Sequence, residues 1–158
     1  MINARDIPTA HTPPGGYGDE MPPPVLAGCD EPLPPGAPDL RGTWKVFEVR
    51  VAGELAPADH PMWDHVERVE QAGDRAVVTT SGIVHDMVVD GILEHGVHDV
   101  MALDFTTRIA VTATYENGAL VLRPDGVPGV EVLRSRDGDA LVWQYHSAFT
   151  TRSRRIDD

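Results

Sequence analysis

Three side chains in this sequence have the chemistry of acid–base catalysis: Glu48, Tyr145 and His146. Histidine titrates near neutral pH and tyrosine can donate a hydrogen bond to a carbonyl, so an enzyme could use them to move protons. No Ser/His/Asp order, phosphate-binding glycine loop or dinucleotide fingerprint accompanies them. These three residues are therefore candidates for catalysis, and the sequence leaves open whether the protein is an enzyme.

A second polar group lies in segment 85–99, which contains His85, Asp86, Glu94, His95, His98 and Asp99. The spacing of His95 and His98 resembles that of a pair of zinc ligands. In a turn-rich segment, however, the two rings need not face the same way, and polar residues are common in exposed turns. We interpret the segment as a solvated loop and predict no metal site. A haem held by one histidine lacks a supporting axial-ligand motif, so no cofactor is expected.

The charge of the chain is strongly acidic, with 25 Asp and Glu against 13 Lys and Arg and a formal net charge of −12. This charge repels a phosphate backbone, so nucleic acid is not an expected partner. No apolar run approaches the roughly 18 residues that a membrane span needs. Basic charge is nevertheless concentrated in the last quarter of the sequence, at Arg134, Arg136, Arg152, Arg154 and Arg155.

The cysteine content and the start of the chain bear on the compartment. The single cysteine, Cys29, cannot form an internal disulfide, and it lies next to Asp30 and Glu31 without a neighbouring cation that would favour a catalytic thiolate. The first 14 residues lack the basic start and apolar core of a signal peptide. We therefore expect a cytoplasmic protein.

The chain divides into a leader, residues 1–38, and one folded domain, residues 39–158. Ten of the fourteen prolines lie in the leader, which predicts an extended or disordered segment. Within it, "VLAGC" (25–29) could dock on the domain as a strap or belong to a solvated tail. From Leu40 onward, short apolar and β-branched runs, among them a strand predicted over "VMALDF" (100–105), alternate with turns, and Asn117-Gly118 predicts a tight hairpin turn. This pattern predicts an all-β, up-and-down antiparallel barrel of about eight to ten strands. The one helix-like interval, 54–66, is broken by proline.

Strand alternation raises a conflict on the first strand, "TWKVFEVRV" (43–51). If Trp44 faces the barrel interior, strict alternation also turns Glu48 and Arg50 inward and turns Phe47 and Val49 outward. Either a β-bulge changes the face partway along the strand, or the interior is unusually polar. The sequence leaves both alternatives open.

The run Gly42-Thr43-Trp44-Lys45 at the start of an antiparallel barrel resembles the calycin superfamily, the lipocalins and intracellular fatty-acid-binding proteins. The order of "VTATYENGALVL", "VEVLRSRDGDALVW" and "TTRSRRI" is similar to the second half of the fatty-acid-binding proteins. The resemblance implies that Trp44 plugs the barrel floor beneath Arg152 or Arg154. It also implies that Arg152, Arg154 and Arg134 hold a ligand carboxylate. The chain departs from that family at Arg154, where tyrosine is usual, and in a connector too short for a two-helix lid.

The first functional hypothesis is that the barrel binds a small, largely apolar molecule that could carry a carboxylate. The predicted ligand-binding residues are Arg134, Arg152, Arg154, Trp44, Trp63 and Trp143. The alternative is a lipocalin-like cyclase or isomerase of a bacterial natural-product pathway, which would shape an unsaturated substrate in the barrel. A third possibility is that the leader is a partner-binding arm. The oligomeric state stays open.

The segment "HPMWDHV" (60–66) carries Met62 and Trp63, large apolar side chains that suit a cap over the open end of the barrel. "PVLAGC" of the leader could fold over this cap, and the cap would then control ligand entry. Alternatively, Trp63 packs sideways against the barrel wall and moves little.

Overall fold

The computed structural model describes residues 3–18, 20–80, 82–101 and 106–157. The strands are β1 (Gly42–Val51), β2 (Glu54–Leu55), β3 (Val66–Ala72), β4 (Arg75–Thr80), β5 (Ile83–Val88), β6 (Val97–Val100), β7 (Arg108–Glu116), β8 (Ala119–Pro124), β9 (Val132–Asp137), β10 (Ala140–Tyr145) and β11 (Phe149–Arg155). Two short 3-10 helices cover Ala4–Asp6 and Leu93–His95.

The strands form one antiparallel sheet in the order β5-β4-β3-β1-β11-β10-β9-β8-β7-β6, and β2 pairs with β1 outside this order. The pairing of β1 with β11 curls this sheet into a nearly closed barrel of ten strands. The predicted antiparallel barrel is thus confirmed. β5 and β6 stand at the two ends of the order, so a gap in the barrel wall lies between them. Across this gap, His85 Nε2 lies 2.9 Å from the carbonyl oxygen of Val100.

The conflict on β1 is resolved by a β-bulge between Val46 and Glu48. Trp44 and Val46 face the interior before the bulge, and Val49, fully buried, faces it afterwards. Glu48 and Arg50 therefore lie on the outer wall, where Arg50 Nε donates a hydrogen bond to Glu48 at 3.1 Å. Of the two alternatives, the bulge is the one that the chain adopts.

Most predicted strands agree with the structure to within a few residues, and Asn117 and Gly118 have the positive φ angles of the expected tight turn. The strand expected over "VMALDF" (100–105) begins and ends earlier, at Val97–Val100, and its residues 102–105 lie outside the described part of the chain. The helix-like interval consists of β2 followed by turns. We call residues 56–65 the connector.

Interior-facing apolar side chains from nearly every strand form one buried cluster around Trp44, Met87, Leu120 and Leu141. We call the end of the barrel that holds Trp44 the floor, and the opposite end, with the β10–β11 turn, the mouth. At the floor, Trp44 Nε1 donates to the carbonyl oxygen of Leu40 at 2.9 Å. Gly42 has φ +140°, and a Cβ there would lie 2.5 Å from Nε of Arg155, so glycine permits this close approach.

The described leader residues pack against the outer wall of the barrel. Leu26 and Ala4 join Ala72, Val77 and Val84 of strands β3, β4 and β5 in a second buried cluster. The N–H groups of Val25 and Leu26 both donate to the carboxylate of Glu70, at 3.1 and 2.8 Å. "VLAGC" is therefore a strap on the outer wall, and its predicted place over Met62 and Trp63 is wrong. The reason is that β3–β5 carry apolar residues on both faces and need cover on the outside.

A buried ion pair anchors the leader. The side chains of Arg75 and Asp86, on the outer faces of β4 and β5, are only 3% and 1% exposed and are paired with each other. The guanidinium also donates to the carbonyl oxygens of Ala4, Ile7 and Pro8. Asp86 accepts the N–H of Ala10 at 2.9 Å. Burial raises the pKa of Asp86, although Arg75 and this N–H oppose the change.

No helix in residues 3–18, 20–80, 82–101 and 106–157 is both long enough and apolar enough to cross a membrane.

Candidate binding site in the barrel

Three neighbouring strands place polar side chains in one row on the interior face. The pairings Arg134–Trp143 between β9 and β10 and Trp143–Thr151 between β10 and β11 set the three residues side by side. The guanidinium carbon of Arg134 lies 4.7 Å from the centre of the Trp143 ring, a favourable cation–π contact. Arg134 is 6% exposed and Thr151 fully buried, so this row is part of the barrel interior.

The charge of Arg134 is neutralised from the opposite wall. Glu67 on β3 accepts a hydrogen bond from Arg134 Nε at 2.9 Å, and both side chains are buried. A buried ion pair of this kind has little net charge to offer to a ligand carboxylate, which would also face Glu67. The arrangement therefore favours an uncharged polar group next to the pair.

Three hydrogen-bonding atoms near the pair are buried with no hydrogen-bond partner among the described residues: Trp143 Nε1, Thr151 Oγ1 and His65 Nε2. The His65 ring lies 5.6 Å from the Trp143 ring, and its Nε2 is 3.9 Å from Glu67, beyond hydrogen-bond distance. Burial lowers the pKa of His65; Arg134 lowers it further and Glu67 opposes the change. The imidazole is therefore uncharged at neutral pH. Buried polar atoms normally have partners, so these three atoms are candidates for contact with a bound molecule.

The connector covers this row from the mouth. Its His60 ring lies 5.8 Å from the ring of Phe149, and Met62 and Trp63 pack against Val46 and Val49. Trp63 Nε1 donates to the carbonyl oxygen of Pro57 at 2.8 Å, which holds the indole within the connector. A cavity of about 320 Å³ at the mouth is lined by Arg50 and Gly53 near the β1–β2 turn and by His146 and Phe149 near the β10–β11 turn.

The structure separates Arg152 and Arg154 from Arg134. Arg152 and Arg154 were expected to hold a ligand inside the barrel, but they lie on the outer wall, since Thr151, Ser153 and Arg155 take the inward positions of β11. Arg152 pairs with Asp137 at 2.9 Å. Arg154 stacks over Phe47. The physical cause is a one-residue difference in register, which exchanges the two faces of a strand.

The floor has the plug that the resemblance implies, with different arginines above it. The guanidinium carbons of Arg136 and Arg155 lie 5.2 and 6.0 Å from the centre of the Trp44 ring. Arg152 and Arg154 were expected there, and the same register difference removes them. Of the three predicted tryptophans, Trp143 contacts Arg134, and Trp44 at the floor is the cross-strand neighbour of Glu67 on β3. Trp63 lies in the connector.

The acid–base candidates have different surroundings. Glu48 lies on the outer wall with Arg50. Tyr145 lies at the mouth, 39% exposed and stacked on Phe149 with ring centres 5.3 Å apart. His146 lies in the exposed turn between β10 and β11, with φ +48°. The three residues do not share one site in this structure. Their role in catalysis stays a prediction.

The two histidines with zinc-like spacing contact different groups. His95 Nδ1 lies 2.6 Å from Asp90, and His98 Nε2 lies 2.8 Å from the carbonyl oxygen of Leu93. Within the described residues, no group of three histidine, cysteine or acidic side chains is arranged to hold a metal ion.

Sequence reasoning did not single out Glu67, His65 or Thr151. The segment around β3, "HVERVEQ", has polar residues on both faces, so alternation gives Glu67 no distinction from Arg68 or Glu70. The one available signal was indirect: an arginine placed inside a barrel needs a buried acidic partner.

No family model and no curated protein matches the sequence. Among solved structures, this chain is similar to human cRBP IV, a cellular retinol-binding protein, with a TM-score of 0.56 and 14% sequence identity. The match covers 75% of this chain and 98% of that protein. At this identity the likeness shows the fold alone. The chain has the calycin barrel fold that Gly42-Thr43-Trp44-Lys45 indicated.

Proposed function

We propose that this barrel binds a small, largely apolar molecule whose uncharged polar end lies against Trp143, Thr151 and His65. The observation that carries the proposal is the set of three buried hydrogen-bonding atoms without partners in the described interior. The fold supports the same conclusion, because a protein whose name states that it binds retinol has this barrel.

All three atoms can form hydrogen bonds with the polar end of such a ligand. The Trp143 indole can only donate, the Thr151 hydroxyl can donate or accept, and the uncharged His65 ring offers one donor and one acceptor. An alcohol, aldehyde, ketone or amide satisfies such a set. The apolar remainder of the ligand would contact the aromatic side chains around Trp143, whose ring centre lies 5.2 Å from that of Phe149.

A carboxylate is disfavoured by charge. Arg134 already pairs with Glu67, and Arg152 and Arg154 lie on the outer wall. The carboxylate-bearing ligand of the first hypothesis would therefore find no unpaired cation beside the Arg134–Glu67 pair among the described residues. Nor do the surroundings of Glu48, Tyr145 and His146 favour the cyclase alternative.

Retinol and retinoic acid test this proposal, because they share an apolar skeleton and differ in the charge of the end group. We expect the protein to bind retinol at least tenfold more tightly than retinoic acid, measured by fluorescence titration at neutral pH. Trp143→Phe keeps an aromatic ring and removes the N–H, and it should weaken retinol binding about tenfold through the lost hydrogen bond.

Trp63→Phe is the matched control, because the Trp63 N–H donates to Pro57 within the connector. The retinol affinity of this variant should equal that of the unmodified protein. Tighter binding of retinoic acid would show that the end group is assigned wrongly. Absence of binding by both compounds at micromolar concentration would count against the binding function itself.

A further inference from the structure

The gap between β5 and β6 is filled by the leader. Thr12 Oγ1 lies within hydrogen-bond distance of both backbone groups of Val84, at 3.1 Å from its N–H nitrogen and 3.2 Å from its carbonyl oxygen. The N–H of Thr12 donates to Asp99 of β6 at 2.9 Å. One leader residue thus bonds to both strands that border the gap.

Neighbouring leader residues fix Thr12 in this position. On one side, the N–H of Ala10 donates to Asp86, within the buried pair with Arg75. On the other side, the N–H of Tyr17 donates to the carbonyl oxygen of Gly82 at 2.9 Å. The span between these anchors crosses the gap, and residues 9–12 form part of the barrel wall there.

The barrel interior lies close to the leader at the gap between β5 and β6. A cavity of about 360 Å³ at the gap is lined by Thr9 and His11 of the leader, by His98 of β6 and by Met87 of β5. Met87 belongs to the interior apolar cluster and is 1% exposed. Leader residues, Arg75 and Asp86 of the outer wall, and one residue of the interior cluster therefore line the same cavity.

Resting on the proposed function, we infer that the ligand enters and leaves through the gap between β5 and β6, and that leader residues 11 and 12 are the movable wall of this entrance. The bonds that hold these two residues are few and polar, whereas the connector at the mouth is held by an apolar cluster. Residues 11 and 12 can separate from the gap while Ala10 at Asp86 and Tyr17 at Gly82 hold the leader on either side.

Thr12→Val tests the inference, because valine keeps the shape of the side chain and removes the hydroxyl that bonds Val84. We expect retinol association and dissociation, followed by stopped-flow fluorescence, both to accelerate about tenfold with a nearly unchanged dissociation constant. Thr112→Val, on the outer face of β7, is the matched control and should leave both rates unchanged. Met62→Ala at the mouth should also leave them unchanged.

A second measurement needs no ligand. In a Cys29→Ala, Met87→Cys protein, the rate at which a thiol reagent modifies position 87 reports opening of the gap. Adding Thr12→Val should raise this rate about tenfold, and adding Thr112→Val should not. Faster exchange in Met62→Ala but not in Thr12→Val would overturn the inference, as would equal thiol modification with and without Thr12→Val. If retinol does not bind at all, the proposed function fails, and the thiol measurement still decides whether the leader opens.

Discussion

Two buried ion pairs in this molecule have the same chemistry and different surroundings. The pair of Arg75 and Asp86 lies beneath the leader, where backbone groups of the leader meet its remaining donors and acceptors. The pair of Arg134 and Glu67 lies inside the barrel, beside three polar atoms that the described residues leave without partners. The two pairs are both buried and differ in whether the polar atoms beside them have partners.

The largest expected effect is on the pair beneath the leader. Asp86→Ala leaves the Arg75 guanidinium buried without its carboxylate and should lower the free energy of unfolding by about 3–5 kcal/mol, measured by urea denaturation. Asp137→Ala removes the partner of Arg152 at the surface and should cost about 1 kcal/mol or less. Equal losses in the two variants would contradict the structural role given to the buried pair.

Replacing both members of each ion pair distinguishes the contribution of the pair from that of the groups around it. Arg134→Met alone leaves Glu67 buried and unpaired, and adding Glu67→Leu should restore about 2 kcal/mol or more of the free energy of unfolding. The corresponding pair of changes at Arg75 and Asp86 should restore much less than Asp86→Ala loses, because three leader carbonyls then lack a donor. Equal recovery at both sites, by the same denaturation assay, would show that the leader contacts contribute little.

The smallest effect concerns pH. Burial lowers the pKa of His65 and of His85 below the usual value of about 6.5. The unfolded chain therefore takes up protons first as the pH falls, so stability is full above about pH 6.5 and decreases below it, until the lowered pKa of the folded state is reached. His65→Gln and His85→Gln should each flatten the dependence of the unfolding free energy between pH 7.5 and 5.5. An unchanged slope in both variants would contradict this assignment.

The barrel could be predicted from sequence because its signals are local. Alternating β-branched runs, the Asn117-Gly118 turn and the floor motif around Trp44 each depend on a few adjacent residues. The bulge on β1 was foreseen as one of two alternatives, because Trp44 and Val49 cannot both face inward on a regular strand.

The site could be predicted only in part, because it depends on register between distant strands. Two of the predicted residues belong to this part of the interior: Arg134 is a member of the ion pair, and Trp143 contacts Arg134. Arg152 and Arg154 were placed on the wrong face, because a shift of one residue exchanges Arg152 for Thr151. Glu67 lies on β3, 67 residues before its partner Arg134, and the local sequence pattern does not indicate a contact between them.

The docking of the leader also constrains how the chain reaches its fold. The leader leaves the ribosome before the barrel strands, yet Ala10 and Thr12 bond to residues 76 and 87 positions later. At ordinary rates of translation, the leader waits on the order of several seconds before those residues exist. The prolines that keep the leader from pairing with other strands meanwhile suit it to this delay. The leader thus closes the gap in the barrel wall only after β5 and β6 have been synthesised.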